Sequence, residues 1–297
     1  MSLFNEYYPY GSAAFESLVT TQVQAALAED IGSGDLTALL VPESQAVTAT
    51  IIARETAIFC GQDWVNACFR LIDSEVRIEW LVNEGERIHP NQVLCTINGP
   101  ARSLLSAERC ALNFLQTLSA TATETRKYVD AIAGTTAQIM DTRKTIPHLR
   151  LAQKYAVTVG GGQNQRLALY DGILIKENHI AAAGSISNVM KKALALNCGK
   201  SIQIEVENLE QLKQALAANA DSILLDNFSN ELLAEAVAIN ISVGRQAVLE
   251  ASGGITLDNV RAVALTGIDR ISIGALTKNI QAVDLSMRVN ELVHAKM

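Results

Sequence analysis

The residues best suited to chemistry begin at Asp141. The stretch DTRKTIPHLRLAQKYAVTVGGGQNQRLALYDGILIKENH carries Arg143, Lys144, Arg150, Lys154, Arg166 and Lys176 in a chain of net charge -7. A cationic cluster in an acidic protein needs a local reason, and a small, strongly anionic ligand supplies one. A nucleic acid would select a wider basic face. Acids and glycines follow at regular places: Glu205 and Glu207 in IQIEVEN, Asp226 and Asn227 in SILLDN, Glu250 before Ser252-Gly253-Gly254, and Gly274 in ISIGAL.

These types imply a division of labour. Glycine loops at helix N-termini present free N–H groups to a phosphate. Glu205 and Asp226 beside a phosphorylated ligand suit Mg²⁺ or ribose hydroxyls better than acid–base work. Arg143, Lys144, Arg166 and Lys176 exceed what one phosphate needs, so a second anion is implied, a di- or tricarboxylate gripped by arginine. Each residue also has a plainer role open to it. Arg150 and Lys154 fall on a helix and can be solvated. Lys176 could instead form a Schiff base. Gly160 to Gly162 could be only a helix exit, although three in a row before a cationic segment favour close backbone approach to a ligand.

The elements that carry these groups are rhythmic. Strand candidates recur at Gln138–Met140, Ile173–Ile175, Ile202–Ile204, Ser222–Leu225, Ala247–Leu249 and Ile271–Ile273, separated by helical patterns. Ser185 or Ser187, Asn208, Ser229 and Thr256 are the candidate N-caps. Alternating strand and helix predicts a parallel sheet with crossover helices. Six repeats, with room for a seventh near Arg166–Leu169, favour a (β/α) barrel over a doubly wound open sheet. In a barrel all these strand ends lie on one face, where active sites form.

Upstream, Phe15–Ala28 has helical spacing and Ser106–Ala133 reads as a long helix with Arg109 near its start, either a solvated charge or a functional one. Between them, residues 46–99 read as short strands with Gly and Pro turns, a small β-rich unit with a helix or two. The spacing resembles the halves of a biotinyl carrier fold, but no lysine sits at a hairpin tip. The chain has 297 residues, 49% hydrophobic, enough for one large domain or two ordinary ones. No apolar run reaches the roughly 20 residues of a membrane span, and the N-terminus lacks a secretory pattern. Five scattered cysteines without a CxxC pair fit free thiols in a reducing cytoplasm, and the four histidines, His294 among them, do not cluster as metal ligands.

Together the motifs ALAEDIGSGDLT, GPARSLLSAERCALNFLQTLS, DTRKT, KYAVTVGGG, LIKENHI, EVEN, LLDN, ASGGI and ISIGALT resemble the quinolinate phosphoribosyltransferase family over nearly the whole chain. The resemblance implies an α/β protein of type II phosphoribosyltransferase kind. An N-terminal α/β sandwich domain would span 1–117 and an open seven-stranded α/β barrel 118–284, with a C-terminal helix over 285–297 packing back on the sandwich. It implies transfer of phosphoribosyl from phosphoribosyl pyrophosphate to quinolinate with loss of CO₂, giving nicotinate mononucleotide, with Mg²⁺, in a cytoplasmic homodimer. By motif match, Arg109 (from the partner subunit), Arg143, Lys144, Gln165, Arg166 and Lys176 are the quinolinate set. Lys144, Lys176, Glu205, Asp226, Ser252, Gly253, Gly254 and Gly274 are the phosphoribosyl pyrophosphate set. Lys144, Glu205 and Asp226 are the catalytic group, with Mg²⁺ at or near Glu205 and Asp226. No residue stands out as a decarboxylation base. Two positions depart from the family: Gln165, where histidine is usual, and His148, where glycine is usual. His148 is expected to lie near the site and compensate for the charge that Gln165 lacks. The other readings are a pyrophosphorylase for another heterocyclic acid and a weakly active ligand-binding paralogue.

Overall fold

A computed structural model describes residues 3–293. The N-terminal unit is built on α1 (Leu3–Tyr7), α2 (Ala13–Ile31), β1 (Ala46–Ala53), β2 (Ala57–Ile58), α3 (Gln62–Ile72), β3 (Arg77–Trp80), β4 (Arg87–Ile88) and β5 (Val93–Pro100). Ser12 caps α2 by accepting from Phe15 N, and Phe15, Val19, Val23 and Leu27 form its buried stripe at i, i+4 spacing. The long α4 (Ala101–Ala131) follows and serves both halves of the chain. Leu104, Leu112, Leu115 and Leu118 lie in the N-terminal core, while Tyr128 lies in the second core. The boundary at 117/118 therefore falls inside one continuous helix.

The second half alternates as expected: β6 (Gln138–Met140), α5 (Arg150–Val159), β7 (Gly172–Ile175), α6 (Glu177–Ala183), α7 (Ile186–Ala195), β8 (Ser201–Val206), α8 (Leu209–Ala217), β9 (Ser222–Asp226), α9 (Asn230–Ser242), β10 (Val248–Ser252), α10 (Val260–Ala264), β11 (Arg270–Ser272) and α11 (Ala275–Lys278). Ser185, Asn208 and Ser229 cap their helices, but Thr256 does not: α10 starts at Val260, and Thr256 N bonds Asn259 Oδ1 instead. The ladder is parallel, in the order β6-β11-β10-β9-β8-β7. Alternate residues point outward into one apolar layer under the helices, among them Ile204, Val206, Ile223, Leu225, Leu249 and Ile271. The intervening residues point inward, and they are mostly polar.

The six ladder strands leave β6 and β7 as edges. The expected seventh strand near Arg166–Leu169 is replaced by a single parallel bridge from Gln163 to Met140. The reason is local. Asp171 accepts from Leu167 N (2.6 Å) and Ala168 N (2.7 Å), so these amides turn the chain rather than joining a ladder.

The C-terminal segment is not the expected helix. Leu285–Val293 forms β12, antiparallel to β1, in a sheet ordered β12-β1-β5-β3. It does pack back on the N-terminal unit, but as an edge strand satisfying the open side of β1. Residues 294–297, with His294, lie outside the described residues. No helix among the described residues is long and apolar enough to cross a membrane. All five cysteines are free, four of them buried.

One acid in the N-terminal unit makes stability depend on pH. Glu84 Oε1 accepts from Gly61 N and Gln62 N at the start of α3, while Oε2 is buried without a partner. Burial pushes its carboxyl up to about 7. The folded state then holds the proton more tightly than the unfolded chain. The contribution of Glu84 to stability should be greatest below pH 4.5 and be lost as pH rises through about 7. Glu84→Gln keeps the acceptor at the helix start and should flatten this profile by about 2 kcal/mol between pH 5 and 8, read from urea midpoints.

Candidate active site

The strand ends enclose a cavity of about 670 Å³ at their C-terminal side. Arg143 and Lys144 enter it from the loop after β6, and Gln165 and Arg166 from the Gln163 bridge segment. Lys176 follows β7, Glu205 lies on β8 and Asp226 ends β9. Ser252, Gly253 and Gly254 line it after β10. Gly274 caps α11 and packs behind: a Cβ there would stand 3.0 Å from Lys144 Cδ. The cations, acids and glycines matched to the family thus converge, except that Gly274 lies behind the lining and one cation stands apart. Arg109 is exposed on α4 and does not line the cavity of its own chain.

The electrostatics favour anions. Arg143 Nε and Arg166 Nε are both buried without a partner. Burial and the neighbouring Arg143 together lower the pKa of Arg166, so the two guanidinium groups repel each other. Lys176 is the cation already paired, with Nζ 2.9 Å from Glu205 Oε2. Asp226 accepts from Asn227 Nδ2 at 2.7 Å. Gly253, at φ +97°, could not carry a side chain: a Cβ would lie 2.1 Å from Asn227 Oδ1. Asn227 thus packs against Gly253, whereas Gly254, at φ +61° with nothing within 4 Å of a Cβ position, leaves the backbone after β10 open.

Beneath the cavity lies a support that the sequence reading missed. Lys154 is not solvated but fully buried, as is Asp141, which is therefore a pillar and not a group on the active face. Lys154 Nζ bonds Asp141 Oδ1 (2.5 Å) and the Gln165 carbonyl (3.0 Å). Asp141 also accepts from Gln165 N (2.9 Å) and Asn164 Nδ2 (2.7 Å). This network fixes the segment that presents Gln165 and Arg166. Arg150 is also committed: Nε donates to Thr145 Oγ1 (3.0 Å), bracing the loop that carries Arg143 and Lys144.

The triple glycine has a packing role, not a ligand-binding one. A Cβ on Gly160 would lie 2.6 Å from Ala122 O, and one on Gly162 would lie 2.8 Å from Thr125 Cγ2. These glycines let the end of α5 press against α4. His148 also sits outside the cavity: it is exposed, and its carbonyl accepts from Gln22 Nε2. Its φ of +62° explains why glycine suits this position and removes the proposed compensation for Gln165. His148→Gly should leave quinolinate affinity unchanged and shift stability by less than about 1 kcal/mol, since relief of strain offsets added chain entropy. Gln165→His, by contrast, should alter affinity, because Gln165 lines the cavity. Titration of both variants with quinolinate checks this, and a loss confined to the His148 variant would contradict it.

Comparison with known proteins agrees with this architecture. Residues 35–119 match the quinolinate phosphoribosyl transferase N-terminal domain, and residues 121–288 match the C-terminal domain. The chain is 43% identical over 265 residues to a probable nicotinate-nucleotide pyrophosphorylase [carboxylating] of Bacillus subtilis, covering 88% of this chain and 90% of the other. It is 39% identical over 272 residues to the nicotinate-nucleotide pyrophosphorylase [carboxylating] of Mycobacterium leprae, covering 89% and 95%. The solved structure of the Francisella tularensis nicotinate-nucleotide pyrophosphorylase superposes with a TM-score of 0.89 at 46% identity, covering 93% and 97%. With both domains matched in order over most of the chain, the chain belongs to the quinolinate phosphoribosyltransferase family.

Proposed function

We propose that the protein joins quinolinate to the ribosyl carbon of phosphoribosyl pyrophosphate and releases pyrophosphate and CO₂, giving nicotinate mononucleotide for NAD biosynthesis. The observation that carries this reading is the pair of mutually repelling guanidinium groups of Arg143 and Arg166 in one cavity, each with a buried, unpartnered Nε. A ligand with two adjacent carboxylates relieves both. A monocarboxylate leaves one unsatisfied, which argues against another heterocyclic acid. The intact acids and bare glycine loop argue against an inactive paralogue.

The chemistry asks for positioning rather than an activated side chain. The pyridine nitrogen is itself the nucleophile, and Arg143 and Arg166 hold its ring by the carboxylates. The N–H groups after Ser252 and around Gly274 receive the 5′-phosphate. Lys144 and Lys176 face the leaving pyrophosphate, and Glu205 and Asp226 face the ribose as positive charge develops on it. No cluster of three or more potential ligands that could hold a metal alone occurs among the described residues. Two carboxylates do fit Mg²⁺, which shares its coordination with substrate phosphates and water. Glu205 and Asp226 would hold it, and when bound it neutralises pyrophosphate charge.

Arg109 would complete the site of a second subunit. It is exposed on α4, and beside it Ser106 Oγ bonds Asp35, anchoring a segment whose Leu36, Leu39 and Leu40 are 81%, 64% and 83% exposed. Such a patch fits a homodimer interface. Mixing inactive Arg109→Ala and Lys144→Ala subunits should restore about a quarter of wild-type activity, because half of the subunits then pair as hybrids with one whole site each. No restoration after confirmed exchange would refute the shared site. The free thiols fit a cytoplasmic setting. The reaction itself is tested by following pyrophosphate, CO₂ and nicotinate mononucleotide together from quinolinate, phosphoribosyl pyrophosphate and Mg²⁺. One of each per turnover is expected, and pyrophosphate without CO₂ would show a different acid is used.

A further inference from the structure

The ribosylated intermediate must still exchange its 2-carboxylate for a proton, and the cations and acids at the cavity rim leave that proton unassigned. One group deeper in the barrel is placed to supply it. On β10 the inward positions are Val248, Glu250 and Ser252. Glu250 is level with Glu205, since both pair with Leu224. It is only 1% exposed, yet it lines the upper cavity and also a second cavity of about 760 Å³ at the opposite end of the strands. Among the described residues only Gln165 and Arg166 share that double position.

Its bonding is lopsided. Oε2 accepts from Gln203 Nε2 at 3.0 Å, and Oε1 is buried with no partner. Gln203 cannot turn to help, because its Oε1 is occupied by Gln165 Nε2 at 2.6 Å. Burial raises the pKa of Glu250 against the weaker opposing pull of Gln203, Ser272 and Arg270, and Asp141 adds a smaller push in the same direction as burial. Burial favours the protonated carboxyl, and the unpartnered Oε1 is the oxygen open to carry its hydrogen.

We propose that Glu250 is the proton donor for the decarboxylation step, delivering its Oε1 proton to the pyridine carbon that loses CO₂. The proposal rests on the quinolinate reading. The C2–carboxylate bond breaks, CO₂ leaves, and the electron pair stays on C2 beside the positively charged ring nitrogen. That pair takes the proton from Oε1, forming C2–H and leaving Glu250 as carboxylate. The negative charge of the departing carboxylate thus passes to Glu250, within the field of Arg166 and Arg270. Water in the lower cavity, among Gln138, Gln163, Ser201 and Gln246, returns the proton.

The alternative is a mere brace, in which Glu250 orients Gln203 and through it Gln165. Glu250→Gln separates the two. It keeps the shape and an oxygen to accept from Gln203, but it has no proton to release. In single turnovers, its CO₂ release should slow at least about 30-fold more than its pyrophosphate release, and ribosylated quinolinate should accumulate. Glu250→Asp, still an acid, should recover part of the CO₂ rate. Equal slowing of both releases would reduce Glu250 to a brace, and wild-type rates for both would remove it from the chemistry. Absence of pyrophosphate release from the unaltered enzyme would instead overturn the reaction itself, and this assignment with it.

Discussion

Lys154→Met should destabilise the protein by about 3–5 kcal/mol, the usual cost of stripping one partner from a buried ion pair. Lys154 and Asp141 are both 0% exposed, and no other cation is bonded to Asp141. Burial already raises the Asp141 carboxyl and lowers the Lys154 amine, with their mutual attraction opposing both shifts. Without Lys154, Asp141 must take up a proton or remain an uncompensated charge. The Gln165 carbonyl also loses its donor. Affinity for quinolinate should therefore fall along with stability, although Lys154 does not line the cavity. The double variant Asp141→Asn/Lys154→Met removes both charges and keeps an oxygen for Gln165 N, so it should recover most of the stability. Urea unfolding of the three proteins measures this. A single-variant cost below about 1 kcal/mol would mean that the pair is not the pillar described here.

Arg166→Met should raise the quinolinate KM by about 100-fold, a loss near 2.7 kcal/mol, in the range of one charge-assisted contact to a desolvated carboxylate. In the free protein the same change should be neutral or stabilising. Arg166 has an orphaned Nε, repels Arg143, and its one direct bond is Nη1 to the Gly172 carbonyl at 3.0 Å. Loss of binding combined with unchanged or higher Tm marks a residue strained in favour of its ligand. Steady-state kinetics and a melting curve decide it. A drop in Tm with an unchanged KM would assign Arg166 to the scaffold instead.

Much of the site was legible because strand ends in a parallel barrel share a face. Glu205, Asp226 and the Ser252–Gly254 loop could be placed together once the βα rhythm was seen. What remained hidden depends on which way a side chain turns. Arg150 and Lys154 look like solvated charges on a helix, and only the packing of α5 against α4 turns Lys154 inward onto Asp141. The glycines at 160–162 make that approach possible, and the sequence alone cannot distinguish a close helix from a close ligand. Glu250 is legible as a strand-end acid, but its depth between two cavities and its bond to Gln203 depend on the packed barrel interior. Leu285–Val293 was misread as helix because an open strand edge elsewhere in the fold, not local propensity, selects its form.

The most direct test of the account is the ratio of kcat/KM for quinolinate to that for nicotinate, with phosphoribosyl pyrophosphate as the common donor. Nicotinate lacks the 2-carboxylate, so it would leave a buried guanidinium without its partner. A site built around such a pair should prefer quinolinate by about 10⁴-fold or more. Comparable values for the two acids would contradict the central claim that Arg143 and Arg166 together select a dicarboxylate.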